Sequence, residues 1–133
     1  MTKIIKIAII GLGQVGNYLY RELNLKKKNI EIKSGKKIQI VALSATNINK
    51  KRKYKIDKKI FYTDPIKIIK KIKPDILFEV IGQSDGISKK VVETALRNQI
   101  HVITPNKALI SKHGDYLSKL AEDNNVNLEF EAS

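Results

Sequence analysis

The chain of 133 residues contains no cysteine, and that one absence removes disulfides, thiolate nucleophiles and thiolate metal sites together. Aldehyde chemistry that passes through a thiohemiacetal is excluded with them. No stretch approaches the roughly 20 consecutive apolar residues needed to cross a bilayer. The opening MTKIIKIAII shows no cleavage-site pattern and runs straight into a glycine turn, as a first strand would. These absences predict a cytoplasmic protein with no membrane partner. Proline is scarce, at 3 residues, and there is no Pro-rich linker or internal repeat. At 15.1 kDa the chain fits a single domain, long enough to enclose a core without metal or disulfide staples.

Acidic residues are scarce in one half only. Residues 1–73 carry 20 Lys and Arg against 4 Asp and Glu, a net of +16, whereas residues 74–133 carry 6 against 9, a net of −3. Arginine is rare as well, at 3 of the 26 basic residues. A protein that reads bases or phosphates bidentately favours arginine. Between the charges only Tyr54, Phe61 and Tyr62 could stack on a base. Abundant Lys, Ile and Asn match a coding sequence biased towards A and T, which supplies surface lysine without selecting a partner. The +13 charge therefore does not argue for nucleic acid, and a basic nucleic-acid-binding domain stands only as a lesser alternative.

What is present alternates. Ile4–Ile10 is apolar at nearly every position, as in a parallel strand buried on both faces. Val15, Leu19 and Leu23, with Tyr18 beside them, recur at helical spacing and predict a helix over 14–27. Lys26–Lys37 is polar, contains Gly35 and reads as an exposed connection. Strands are expected at Ile38–Ser44, at a short IFYT, at Asp75–Gly82, at Ile100–Thr104 and in the closing VNLEFEA. Asp64-Pro65 starts a helix to Lys73 with Ile66, Ile69 and Ile72 inward; Ser84 or Asp85 caps another through Arg97, lined by Val91, Val92, Ala95 and Leu96. A last helical stretch is expected to break near His113-Gly114 and end near Asn124. The predicted class is α/β: a Rossmann-type doubly wound, mostly parallel sheet with helices on both faces.

Within that frame, IIGLGQVG spells G-x-G-x-x-G between a strand and a helix. A lone match is weak, but here the structural context demanded of a dinucleotide-binding turn surrounds it. Gly11 permits the tight turn, Gly13 lets the backbone approach a pyrophosphate, and Gly16 lets helix and strand pack closely. Leu12 lies between them, and the free amides of Gln14 and Val15 favour the anion. At the end of the second strand, where a carboxylate would hold an adenosine ribose, Ser44 stands in a neutral stretch, and Lys50, Lys51, Arg52 and Lys53 follow. That composition favours NADP over NAD, while the alternative for each lysine is a solvated loop. His101 and His113 are read as structural. Glu79 either faces the cleft or pairs with a lysine at the sheet edge, and no role is assigned to it.

Taken together, AIIGLGQVG, PDILFEVIG, ITPNKALISKHGDYLSKLA and FEAS resemble the cofactor domain of homoserine dehydrogenases over nearly the whole chain. The resemblance implies hydride exchange between L-homoserine and L-aspartate 4-semialdehyde with NAD(P), in threonine and methionine biosynthesis. It implies that Gly82 and Gln83 lie by the cofactor, and that Thr104 and Lys107 reach the nicotinamide ribose and the substrate end, Lys107 as the catalytic cation. A lysine beside the positive end of a helix is otherwise unfavourable, so an anionic partner is expected for it. Glu131 matches a position beside a monovalent-cation site. Pro105 and Gln83 depart from the family's usual small residues. The family continues beyond Ser133 into a catalytic and dimerising domain, so this chain is expected to hold the cofactor half of the site and to be inactive alone. A stand-alone NAD(P)-binding regulatory module is the main alternative.

Overall fold

The computed structural model describes residues 3–130. Six strands form one sheet: β1 (Lys3–Ile10), β2 (Lys36–Ser44), β3 (Phe61–Tyr62), β4 (Ile76–Glu79), β5 (His101–Thr104) and β6 (Leu128–Phe130). Their order is β3-β2-β1-β4-β5-β6, and every neighbouring pair is parallel. The order reverses between β1 and β4, so the connections leaving those strands part above their carboxyl ends and open a crevice there.

Alternation along the strands separates two cores. Ile7 and Ile9 of β1 face one side, with Leu19, Tyr20, Leu23 and Ile30 of α1 (Gln14–Ser34) packed over them. Ala8 and Ile10 face the other, under Val91, Val92, Ala95 and Leu96 of α3 (Ile87–Arg97) and Leu109, Leu117 and Ala121 of α4 (Lys107–Asp123). In β2 a bulge after Ile40 re-phases the pattern, so that Ile38 and Ile40 before it and Leu43 after it all join the α1 side.

Several expectations shift. The helix after the glycine turn does not stop at Lys27; it runs to Ser34, and Gly35, in the left-handed region at φ 70°, ends it with its amide bonded to Glu31. Lys and Glu are good helix formers, and Ile30 continues the inner stripe, so nothing before Gly35 terminates the segment. Val15 and Tyr18 are not on that stripe and are more than half exposed.

The Asp64 carboxylate caps α2 (Pro65–Lys67) as anticipated, through the Ile66 amide. The segment then widens into a π-helical turn over Ile68–Ile72, which brings Ile68 as well as Ile69 fully inside and leaves Ile66 and Ile72 partly buried. Neither Ser84 nor Asp85 caps α3; Gly86 occupies that position, with no side-chain cap. Helix α4 passes through Gly114 unbroken. The burial of Leu109, Leu117 and Ala121 outweighs the roughly 1 kcal/mol that an interior glycine costs.

Candidate functional site: the crevice at the glycine turn

The three glycines of the turn differ in what requires them. At Gly11 the backbone has φ +105°, and an added Cβ would stand 2.8 Å from the Val80 carbonyl. At Gly16 a Cβ would lie 1.9 Å from the Gly11 carbonyl oxygen. Both are therefore demanded by the protein's own packing. Gly13 is not: its φ of −70° suits any residue, and nothing stands within 4 Å of where its Cβ would be. The space beside it is open, and helix α1 begins there with no side chain capping its amides. This is the geometry of a phosphate cradle that a side chain would fill.

A cleft of about 480 Å³ adjoins the turn, between its residues Leu12 to Val15, Tyr18 and the loop Lys50–Tyr54. That loop is fastened rather than loose. The Arg52 guanidinium donates to the carbonyls of Leu12, Asn47, Ile48 and Lys50. Asn17, buried in α1, pairs with both the amide and the carbonyl of Tyr54 at 2.8 Å, and Tyr20 Oη accepts from the Asp57 amide. Arg52 thereby spends its donors on main chain. Lys50, Lys51 and Lys53 line the cleft and, among the described residues, have no carboxylate within ion-pair distance. Ser44 lies beneath, 2% exposed, with its carbonyl accepting from the Gly11 amide. Tyr18 at the rim donates to Glu22 at 2.6 Å, a contact that raises the phenol pKa and lowers that of the carboxyl.

On the other side of the crevice, β4 and β5 end in a polar junction. The Glu79 carboxylate is fully buried. One oxygen accepts from the Ile81 and Gly82 amides, and the other from Thr104 Oγ1 and Asn106 Nδ2. No cation is among these partners, so neither the cleft nor a lysine at the sheet edge claims this side chain. Gly82 has φ +92° and is exposed, Gln83 is exposed, and Lys107 is the exposed first residue of α4. Thr104 is wholly buried, its hydroxyl proton directed at Glu79.

The loop between β4 and α3 is tied further by Asp85, which accepts from the Lys112 ammonium and contacts His113 Nε2 at 2.7 Å. Those two contacts, the lysine's first, hold the Asp85 pKa down to about 2. His113 thus has a structural partner, and His101 Nδ1 accepts from the Asn127 amide. Among the described residues no three His, Asp or Glu side chains group closely enough to hold a metal ion, and no helix is long and apolar enough to cross a membrane. Glu131 lies outside the described residues.

Comparison with known proteins places this arrangement. The family described as homoserine dehydrogenase, NAD-binding domain, matches residues 11–131. The chain belongs to that family. The crystal structure of Staphylococcus aureus homoserine dehydrogenase at pH 7.5 is similar to it with a TM-score of 0.90 and 35% identity, over 98% of this chain and 34% of that one. Homoserine dehydrogenases of Neisseria gonorrhoeae and Corynebacterium glutamicum are 31% and 32% identical over 131 and 129 residues, or 98% and 96% of this chain. The chain spans about 30% of the length of these curated relatives.

In this NAD-binding domain the cleft gathers the glycine turn and Lys50, while the exposed Gly82 and Gln83 follow β4 and the exposed Lys107 follows β5 at the carboxyl edge of the same sheet. Ser44 and Thr104 lie beneath that edge rather than on it. Asn17, which fastens the loop wall, and Asn106, which caps α4 through the Leu109 amide, carry no role in the sequence reading, and Arg52, expected there among the cations, is bonded to main chain instead. An Asn directly before a helical stretch is a capping signal and could have been read. Glu79, three residues before Gly82, meets neither of its two expected partners, since its carboxylate is taken up by main-chain amides, Thr104 and Asn106.

Proposed function

We propose that the chain binds NADP in preference to NAD and serves as the cofactor half of a homoserine dehydrogenase, interconverting L-homoserine and L-aspartate 4-semialdehyde. The single observation that carries the cofactor reading is Gly13, a glycine that no contact of the fold requires, set at an uncapped helix start beside an open cleft. A diphosphate supported on the amides around Gln14 and Val15 takes up that space. The bound dinucleotide supplies the hydride acceptor or donor. Lys50, with Lys51 and Lys53, faces a cleft that contains no carboxylate to repel a 2′-phosphate, which is the ground for preferring NADP.

Lys107 is the proposed catalytic cation. Its ammonium stands at the positive end of α4 with no carboxylate partner among the described residues, a position that an oxygen gaining negative charge would relieve. Gly82 and Gln83 line the nicotinamide side, and Thr104 supports it from below. Glu131 is the proposed contributor to a monovalent-cation site. The full-length enzyme is proposed to be a cytoplasmic homodimer in threonine and methionine biosynthesis, joined through a domain that lies beyond this one, with no nucleic-acid partner.

Titration of the 133-residue protein with NADPH and NADH, followed by nicotinamide fluorescence, tests this reading. NADPH is expected to bind more tightly, and the same preparation is expected to show no turnover of homoserine. Equal, weak responses to both nucleotides overturn the NADP preference, and a measurable rate overturns the assignment as half a site.

A further inference from the structure

Glu79 is the one fully buried carboxylate among the described residues, and all four of its hydrogen bonds are donated to it. The donors cannot exchange roles. Two are main-chain amides, of Ile81 and Gly82. Asn106 is fixed in orientation, because its Oδ1 accepts from the Leu109 amide at 3.0 Å while its Nδ2 donates to the Gln83 carbonyl at 2.7 Å as well as to Glu79. Thr104 Oγ1 accepts from the Asn106 amide at 3.0 Å and so turns its proton to the carboxylate. Only a group that accepts at both oxygens satisfies this site. A buried negative charge without a cation is costly, and four converging donors are what offset it.

The donors are also the supports of the crevice. The Ile81 and Gly82 amides shape the loop at the end of β4, Thr104 ends β5, and Asn106 caps the helix whose first residue is Lys107. Two stretches of chain, the loop that leaves β4 and the turn between β5 and α4, are held by one carboxylate, and the Asn106 bond to the Gln83 carbonyl ties the two directly. We infer that Glu79 is a positioning residue: its ionised carboxylate sets Gly82, Gln83 and Lys107 in the arrangement that receives the nicotinamide end of the cofactor. The glycine turn and the loop Lys50–Tyr54 receive the other end; Gly11 packs against Val80 and the Ile81 amide, but none of the four hydrogen bonds to Glu79 comes from the turn or from that loop. This inference rests on the cofactor reading above.

The test compares two ligands on the 133-residue protein: NADPH, and 2′-phospho-ADP-ribose, which lacks the nicotinamide ring. Glu79→Gln keeps the side chain's shape but puts a donor where only acceptors fit. Its affinity for NADPH is expected to fall about tenfold, with loss of the nicotinamide fluorescence change, while its affinity for 2′-phospho-ADP-ribose stays within about twofold of wild type. Should Glu79→Gln not fold, Asn106→Ser, which removes the two Nδ2 bonds and leaves the carboxylate, is expected to give the same split. A merely structural role weakens both ligands alike. That result, or no change for either, overturns the positioning role while leaving the cofactor reading intact. A wild-type protein that binds neither ligand overturns both.

Discussion

The contrast between Gly13 and Gly16 separates binding from folding at the scale of one methyl group. Gly16→Ala drives a Cβ to 1.9 Å from a carbonyl oxygen that β1 and α1 hold in place, so the protein is expected to lose about 3 kcal/mol or more, measured by urea unfolding. Gly13→Ala meets only open space and ordinary backbone angles. Its stability is expected to stay within about 0.5 kcal/mol of wild type, while NADPH affinity falls because the methyl enters the space of the diphosphate. If Gly13→Ala binds as well as wild type, that space has another use. Arg52 and Glu79 make a related point: a charged side chain can be engaged mainly by main chain and small polar groups rather than by an opposite charge.

At the scale of elements, the loop between β4 and α3 is held from outside by Asp85 on Lys112 and His113 of α4. The Asp85 pKa is depressed from 3.8 to about 2, so its contribution is present above the unfolded value and is lost as pH falls through the folded one. Asp85→Asn is therefore expected to lower the urea midpoint at pH 6, with the difference shrinking as pH falls below about 4 and vanishing only below the folded value of about 2. A difference that does not shrink between about pH 4 and 2 contradicts this assignment. Both residues of α4 that hold Asp85 lie immediately before Gly114, where a helix break was expected. An unbroken α4 keeps them in register with the loop.

For the whole molecule, the charge division matters more than the total. The +16 half contains the glycine turn, α1 and the Lys50–Lys53 loop, and the −3 half contains β4, β5 and α4. An anionic ligand is drawn to the adenosine side first. NADPH binding is accordingly expected to weaken as salt is raised from about 50 to 200 mM, over which range the screening length shortens substantially. The loss should be greater for NADPH than for NADH if, as proposed, the extra phosphate faces the lysines. Isothermal titration at several salt concentrations measures this, and identical salt responses for the two nucleotides would remove the lysines from the 2′-phosphate.

The α/β class, the strand and helix sequence and the glycine turn between β1 and α1 were legible in the sequence, because they rest on local patterns: apolar runs for buried strands, glycines at fixed spacing, Asp-Pro at a helix start. Where the sequence misled, the deciding contacts were distant ones. Ile30 belongs to a helix only because β2 offers it a surface, and Gly114 stays helical only because Leu109 and Leu117 are buried on either side of it. Val15 and Tyr18 carry helical spacing yet border the cleft. Glu79 meets Thr104 and Asn106 from 25 and 27 residues away, and Arg52 reaches Leu12 across 40. The sequence by itself determined which segments become strands and where the glycine turn opens between strand and helix, since spacing along the chain is enough for both. Only the tertiary structure decided which polar side chains are consumed in building the crevice and which remain at its surface, since that depends on donors and acceptors brought together from separate strands.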